Sequence, residues 1–367
     1  MLFETNGVHS LLAIDNELWV WGSNCFGELG IGNNNYVQTP VAVDCQFDNS
    51  GIKSIKLTNC KSFVLTRAGN IFASGDNRNF QISDNNDVDK TSSVFIKNKF
   101  LKNISIFGTT DNQCIAVTKS GELYIWGKRE IFDYSIDSFI IEPKILNIDY
   151  NHVYNIFCSY NYSVIVTDTG LWIVGYYYSL INYGDEPIKL KFDENHVITN
   201  MECCRDFIVI LTSDNEIYLN YDKKKFILID LNIIEPIICQ VNPYIFILGK
   251  NEEGETITKM IGLLNGNILC VREITFDVNN VTKIMGSIGI NKNIFVITDD
   301  VVYCRGNNYY GALGCEQKIC DDVDFWSEFS DSVGKINHLR QHDFLTRMNS
   351  LSKKLFKNNY FIKSAKY

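Results

Sequence analysis

The chain has 367 residues, of which 46% are hydrophobic and 13% aromatic, and its formal net charge at pH 7 is −9. This composition excludes a disordered polymer, and the lack of any apolar run of about 18 residues excludes a membrane-spanning helix in the sequence. The first residues have no basic start and no long apolar core, so we expect no signal peptide, and with twelve cysteines this predicts a reducing, intracellular compartment, cytoplasmic or nuclear.

A tryptophan-glycine motif opens the chain and returns along it. Its fullest copy is Trp21–Gly30; the corresponding segments are Ser74–Ser83 and Arg305–Gly314, and Trp126-Gly127 and Val174-Gly175 keep only its first part. Gly22, Gly75 and Gly127 follow one another at intervals of 53 and 52 residues. Short apolar runs that end in threonine return with the same spacing. Two landmarks with one period indicate a repeat architecture.

Residues 112–127 show what one repeat contributes. Cys114–Val117 is a short apolar run that favours a buried strand, and Leu123–Trp126 is the returning strand after a turn in which Gly121 can adopt positive φ. A hairpin alone is barely stable in water. Hairpins arranged radially bury their faces against one another, which is the arrangement of a β-propeller.

Further segments supply the two remaining strands of each repeat. Alternating apolar and polar residues precede the hairpins at Ile52–Leu57, Val197–Glu202 and Val281–Met285, and Tyr36–Val41 offers a fourth strand. Four strands per repeat and about seven repeats account for most of the chain. The sequence therefore predicts an all-β protein, a propeller of four-stranded antiparallel blades.

The first repeat carries a family resemblance. Leu18–Gly30, preceded by Gly7–Ile14, resembles a repeat of the regulator of chromosome condensation family, and the resemblance extends over about residues 1–315. It fades between about residues 200 and 290, where the hairpin Glu216–Tyr221 lacks the Trp-Gly pair. The resemblance implies seven blades, which we assign to residues 1–334.

The same resemblance has functional implications. Members of the family include an exchange factor for a small nuclear GTPase, which inserts a loop that competes with nucleotide. The resemblance therefore implies a protein partner, with a small Ran-like GTPase as one alternative. In the third repeat, Gly127–Tyr134 departs from the family pattern and matches no such loop.

Candidate metal and catalytic residues are few. The nearest are Cys203 with Cys204, Cys315 with Cys320, and His338 with His342, and none forms a Cys-x-x-Cys pair. We interpret His9-Ser10 as a polar pair satisfied within the blade. No glycine-rich segment has the spacing of a nucleotide-binding loop. We therefore expect no metal, no cofactor and no catalytic residue, and we predict a non-enzymatic platform for protein-protein interaction.

An acidic segment rich in aromatic residues follows the last Trp-Gly echo. Its candidate partner-binding residues are Asp321, Asp322, Asp324, Phe325, Trp326 and Phe329. Large aromatic side chains often anchor protein interfaces. The alternative is an ordinary outer strand, with Phe325 or Trp326 packed on a blade and the acids in water.

The C-terminal segment, residues 335–367, contrasts in charge with the rest. It has eight Lys or Arg and one acid, or +7, whereas residues 1–334 have 26 basic and 42 acidic residues, or −16. One interpretation is an interaction tail or amphipathic helix, and the other is a degenerate eighth repeat or ring-closing segment. Because the body repels phosphate, nucleic-acid binding is disfavoured and would need this tail. Its candidate contact residues are Arg340, Arg347, Lys353, Lys354 and Lys357.

Overall fold

The computed structural model describes most of the chain in fifteen segments. These are residues 1–14, 16–45, 47–82, 90–129, 139–177, 186–193, 196–221, 225–241, 243–264, 268–287, 293–299, 301–314, 333–336, 340–346 and 348. Within them the chain forms 29 β-strands and one short helical segment at residues 343–346 and 348. No helix among these residues is long and apolar enough to cross a membrane.

Each of the first four sheets is formed by four consecutive strands. Blade 1 contains β1 (Leu2–Thr5), β2 (His9–Ile14), β3 (Glu17–Gly22) and β4 (Val37–Ala42). Blade 2 contains β5 (Ile52–Thr58), β6 (Lys61–Thr66), β7 (Ile71–Asp76) and β8 (Thr91–Lys97). Blade 3 contains β9 (Ile104–Thr109), β10 (Gln113–Thr118), β11 (Leu123–Lys128) and β12 (Phe139–Ile145). Blade 4 contains β13 (Val153–Cys158), β14 (Tyr162–Thr167), β15 (Gly170–Gly175) and β16 (Ile188–Leu190).

The remaining three sheets include the segment where the sequence motif fades. Blade 5 contains β17 (Ile198–Cys203), β18 (Ile208–Thr212), β19 (Ile217–Asn220) and β20 (Ile227–Ile229). Blade 6 contains β21 (Ile234–Val241), β22 (Tyr244–Lys250), β23 (Thr256–Leu264) and β24 (Ile268–Phe276), and β28 (Val333–Ile336) pairs with β24 in parallel as a fifth strand. Blade 7 contains β25 (Val281–Gly286), β26 (Ile294–Thr298), β27 (Val302–Arg305) and β29 (Arg340–Gln341).

The seven sheets, antiparallel apart from the added β28, confirm the predicted propeller. The first strands of successive blades contact one another from β1 to β25 and therefore line the centre of the ring. Because neighbouring strands run antiparallel, the connections between first and second strands, and between third and fourth, share one face of the ring. We call this the front face. The connections between second and third strands lie on the back face.

The hydrophobic core is divided among the interfaces between neighbouring blades. Leu11 of blade 1 packs with Val64 of blade 2, for example, and both side chains are fully buried. Burying such a side chain contributes about 1.5–3 kcal/mol. A blade therefore depends on its two neighbours for most of its stability, which is why the repeats occur as a closed set.

Side chains close the ring between blades 7 and 1. Trp21 and Phe295 share a buried cluster with Leu345 of the helical segment, and the rings of Phe3 and Phe295 meet edge to face at 5.0 Å. Each of these blades is formed from its own part of the chain. Closure thus depends on apolar packing, to which the C-terminal segment contributes.

The described part of the C-terminal segment extends existing blades. β28 lies on blade 6, β29 completes blade 7, and a helical turn follows at residues 343–346. One short helical segment is thus present, its Leu345 packs in the cluster between blades 7 and 1, and the described residues form no eighth blade. The predicted boundary between residues 334 and 335 falls within β28, and the division into two domains stays a prediction.

Candidate interaction face

Three turns on the front face have the same internal geometry. They join the third and fourth strands of blades 1 and 2 and follow the third strand of blade 7. In each, an asparagine side-chain oxygen accepts a hydrogen bond from the backbone N–H five residues on, at 2.9, 2.9 and 2.8 Å for Asn24, Asn77 and Asn308. These are the three copies of the motif that the sequence shows. The asparagine fixes the turn and is therefore structural.

Each turn also makes a hydrogen bond to the next blade around the ring. Trp21 Nε1 donates to the carbonyl oxygen of Ala312 at 2.9 Å, and Trp126 Nε1 donates to that of Gln81 at 3.0 Å. In blade 2 the donor is Ser74 Oγ, which contacts the carbonyl oxygen of Glu28 at 2.9 Å. We call these contacts the turn latches. They fix the position of the front-face turns on the rigid ring.

The latched turns leave their middle side chains exposed or partly exposed. Tyr309 is 67% exposed and Tyr310 37%, and their rings meet edge to face at 4.7 Å. The corresponding positions hold Cys25 and Phe26 in blade 1. The guanidinium carbon of Arg78 in blade 2 lies 5.1 Å from the centre of the Phe26 ring. Aromatic side chains therefore occupy equivalent places on consecutive blades.

Arg78 is held in place by a carboxylate. Its Nε and Nη2 atoms donate to Asp76 at 2.9 and 2.6 Å. Burial raises the pKa of Asp76, but the hydrogen bonds and charge of Arg78 outweigh burial and lower the pKa overall. The ion pair and the Phe26 ring thus orient one flat guanidinium surface on the front face.

A polar network stiffens the inner part of the front face. Asp111 in blade 3 accepts a hydrogen bond from Asn59 Nδ2 in blade 2 at 2.7 Å, and the same Asn59 atom lies 3.2 Å from Tyr160 Oη in blade 4. Asn79 of the blade 2 turn reaches the carbonyl oxygen of Asp111. The network thus links loops of blades 2, 3 and 4 to one another.

The central channel carries charged groups. Lys56 Nζ lies 2.6 Å from Glu4 Oε1, which joins the first strands of blades 1 and 2. Glu202 on β17 faces the same centre, and burial raises its pKa to about 8, although the charge of Lys56 opposes that shift. These residues couple the inner strands and are not arranged as a nucleophile with a base.

The described histidine and cysteine candidates, His9, Cys203, Cys204 and His342, are buried. His9 is fully buried between Asn6 and Ser62 Oγ, at 3.1 and 3.0 Å from its two ring nitrogens, which fits the predicted structural role. Cys203 and Cys204 are buried free thiols. Within these residues no three His, Cys, Asp or Glu side chains form a group that could hold a metal.

Most residues predicted as partner contacts lie outside the described residues. This applies to Asp321, Asp322, Asp324, Phe325, Trp326 and Phe329, and to Arg347, Lys353, Lys354 and Lys357. Arg340 lies in β29, where its backbone pairs with Cys304. The structure therefore brings together a different set, the exposed turn residues of the front face, which sequence reasoning did not select.

A comparison with protein families finds one matching repeat. Residues 15–57 match the model of the regulator of chromosome condensation (RCC1) repeat. This range begins at the hairpin before β3 and ends in β5, so the sequence repeat crosses from blade 1 into blade 2. The match confirms the resemblance seen in the sequence.

Curated relatives and solved structures agree with this match. The mitochondrial RCC1 domain-containing protein RUG3 of Arabidopsis thaliana is 32% identical over 33% of this chain and 27% of that protein. The X-linked retinitis pigmentosa GTPase regulator of Homo sapiens is 28% identical over 31% of this chain and 11% of that protein. The matched segments thus span less than a third of either relative. The crystal structure of Prp20p from Saccharomyces cerevisiae covers 94% of this chain and 97% of its own, with a TM-score of 0.67 and 13% identity, and so shares the fold.

Proposed function

Since residues 15–57 match the regulator of chromosome condensation repeat and the chain shares the fold of Prp20p, we propose that it is a divergent member of that repeat family and a non-enzymatic platform that binds a protein partner on its front face. The observation that carries the proposal is the exposure of Tyr309 and Tyr310 on a latched turn. Exposed aromatic residues are common anchors of protein interfaces. Because the ring already fixes their positions, little conformational entropy is lost on binding.

Site-specific photo-crosslinking tests this proposal. A photoreactive phenylalanine analogue at Tyr309 should give one dominant crosslinked partner in extract, which excess unlabelled protein competes away. The matched control carries the same analogue at Ile145, which is 58% exposed on the outer strand of blade 3. Equal crosslinking from both positions, or none from either, would count against a front-face platform.

Guanine-nucleotide exchange on a small Ran-like GTPase is the second candidate. The observation that favours it is the likeness over nearly the whole chain to Prp20p, a protein with reported binding properties toward Gsp1p and histones. The test is release of labelled GDP from candidate GTPases with and without the purified chain. Release that equals the intrinsic rate at micromolar protein would exclude exchange on those GTPases and leave the platform proposal intact.

Nucleic-acid binding is the weakest of the three. Residues 1–334 carry 26 basic and 42 acidic residues, and such a body repels phosphate. Any binding should therefore depend on Arg347, Lys353, Lys354 and Lys357 and disappear when they are replaced by glutamine. For location we propose the cytoplasm or nucleus, which the free thiols of the ten described cysteines support.

A further inference from the structure

Three cations lie together on the back face of blades 2 and 3. Lys53 is the second residue of β5 in blade 2, Arg67 follows the second strand of that blade, and Lys119 follows the second strand of blade 3. All three residues are exposed. The strand ends that carry them belong to the face opposite the latched turns, so they form a surface separate from the one proposed above. We call them the back-face basic cluster.

Backbone contacts bring the cluster together. The N–H of Arg67 donates to the carbonyl oxygen of Gly51 at 2.8 Å, which places Arg67 beside the start of β5. Lys53 Nζ crosses to blade 3 and donates to the carbonyl oxygen of Ser105 at 2.6 Å. The side chain of Ser105 in turn contacts the carbonyl oxygen of Thr118, the residue before Lys119. One positive surface therefore spans two blades.

The charges of the cluster act on one another. Burial first, and then the charges of Lys119 and Arg67, lower the pKa of Lys53. Like charges this close repel, and ion pairing is the usual compensation. Among the residues that the structure describes, no ion pair joins any of the three to a carboxylate. The cluster thus keeps its positive charge in a chain whose net charge is −9.

Two nearby acids are engaged with neutral partners. Asp48 accepts hydrogen bonds from Ser50, Thr66 and Asn70. Glu122, in the same turn as Lys119, accepts one from Ser120 Oγ at 3.2 Å. Neither acid pairs with a cation of the cluster, so the three positive charges are available to an anion from outside the chain.

We propose that the back-face basic cluster is a docking site for an acidic peptide segment of a protein partner. An extended peptide presents a side chain on the same side about every 6.7 Å, which suits cations spread over two blades. Duplex DNA carries one charge per about 1.7 Å and would bring many phosphates close to an acidic body. Charge complementarity with a short carboxylate-bearing segment is therefore the better match.

The proposal is tested by fluorescence anisotropy with the full chain at low salt. The probe is a fluorescein-labelled peptide of six Glu-Ser repeats. The double variant Arg67→Glu/Lys119→Glu changes two exposed turn residues and should retain the thermal midpoint of the wild type. We expect it to weaken peptide binding about tenfold or more, since each reversal replaces an attraction by a repulsion. Raising the salt concentration should also weaken peptide binding by the wild type.

A matched double variant, two further variants and one further probe distinguish the outcomes. Lys144→Glu/Lys191→Glu makes the same charge change on exposed residues of blades 3 and 4 and should alter peptide affinity less than about twofold. Glu122→Gln should strengthen binding.

No peptide binding, or equal loss in both double variants, would overturn the proposal. Tighter binding of a 12-nucleotide single-stranded DNA than of the peptide would overturn it in favour of a nucleic-acid surface. Tyr309→Ser/Tyr310→Ser should keep full peptide affinity, which separates this test from that of the front face.

Discussion

Phe80 occupies a backbone conformation that its sister turns reserve for glycine. Its φ is +56°, whereas Gly27 and Gly311, at the same place in blades 1 and 7, have φ of +80° and +79°. In those blades the glycine lies against the outer strand of the next blade, where a Cβ atom would clash. In blade 2 the Phe80 ring instead packs edge to face on Phe139 at 5.1 Å. The left-handed region costs a residue with a side chain about 1–2 kcal/mol.

This strain predicts an inverted response to substitution. Phe80→Gly and Phe80→Ala both remove the ring, so the difference between them reports the backbone alone. We expect the glycine variant to be more stable by about 1 kcal/mol in chemical denaturation. At Asn79, where φ is not positive, the alanine variant should be the more stable of the pair by about 0.5–1 kcal/mol. If the alanine variant were the more stable of the pair at Phe80 as well as at Asn79, the backbone of Phe80 would not be strained.

Glu202 gives a second prediction at the scale of the residue. Because the folded state raises its pKa from 4.5 to about 8, the folded protein binds this proton more tightly than the unfolded chain. The stability that the fold gains from protonated Glu202 is therefore fully present when the pH is below the pKa of this residue in the unfolded chain. It is lost as the pH rises through the pKa of Glu202 in the folded protein.

The corresponding experiment replaces Glu202 by glutamine, which cannot ionise. Glu202→Gln should stabilise the protein more at pH 9 than at pH 5.5, by about 1 kcal/mol or more, as measured by the free energy of unfolding at the two pH values. Glu4→Gln is the control, since it removes the partner of Lys56 and should destabilise the protein. A Glu202→Gln effect that is equal at both pH values would contradict a raised pKa.

At the scale of the element, the latched turn is the unit that repeats. Trp21 Nε1 is hydrogen-bonded to the turn of blade 7, whereas the buried Nε1 of Trp19, two residues away on the same strand, has no partner. Both side chains pack in the interface between blades 7 and 1. A comparison of substitutions at Trp21 and Trp19 therefore distinguishes the effect of the latch hydrogen bond on stability from the effect of apolar packing.

Phenylalanine substitutions test the latch. Trp21→Phe should destabilise the protein by about 1–3 kcal/mol, because it loses a buried hydrogen bond as well as ring area. Ser10 Oγ still donates to the carbonyl oxygen of Ala312, so we expect the lower end of that range. Trp19→Phe should cost less, since it also removes an unsatisfied buried N–H. Thermal and denaturant unfolding of both variants provides the measurement, and the reverse order would refute the structural role of the latch.

The sequence predicted strands and hairpins correctly where the signal is local. The hairpin of residues 112–127 appears as β10 and β11, because apolar runs around a flexible glycine determine a hairpin by themselves. The latch was missed, since Trp126 and Gln81 are 45 residues apart and periodicity reports no contact of that kind. The exposed turn residues had a signal that was overlooked. Asn recurs in all three turns and Gly follows it three positions later in blades 1 and 7, whereas the residues between them differ, as in Cys25-Phe26 and Tyr309-Tyr310.

At the scale of the whole molecule, the repeat and the blade are out of phase. The matched repeat runs from residue 15 to residue 57, so the third and fourth strands of blade 1 and the first strand of blade 2 belong to one sequence unit. A blade therefore combines two successive repeats, which couples neighbours along the chain. Among the described strands none couples blade 7 to blade 1 in this way, and their interface relies on buried side chains, with His342 among them.

His342 makes this closure sensitive to acid. Its Nδ1 accepts a hydrogen bond from the N–H of Leu345 at 3.0 Å, and its ring lies 6.2 Å from that of Trp21. Burial lowers its pKa from 6.5 to about 4, and burial likewise lowers that of His9, on the other side of blade 1, to about 3. The stability that comes from each neutral ring is complete above the unfolded pKa and is lost as the pH falls through the folded value. Acid should therefore loosen both interfaces of blade 1.

His342→Asn tests this sensitivity while keeping the helix cap. Asparagine Oδ1 can still accept the bond from Leu345, but it takes up no proton. We expect the variant to lose about 1 kcal/mol less than the wild type between pH 7 and pH 5 and to unfold at a lower pH, as followed by tryptophan fluorescence. His152→Asn is the control, because His152 is exposed and its replacement should leave the acid midpoint unchanged. If the acid midpoint of His342→Asn were unchanged, the propeller would open at another interface. A changed midpoint in the same experiment on His9→Asn would then locate the opening at the interface of blades 1 and 2.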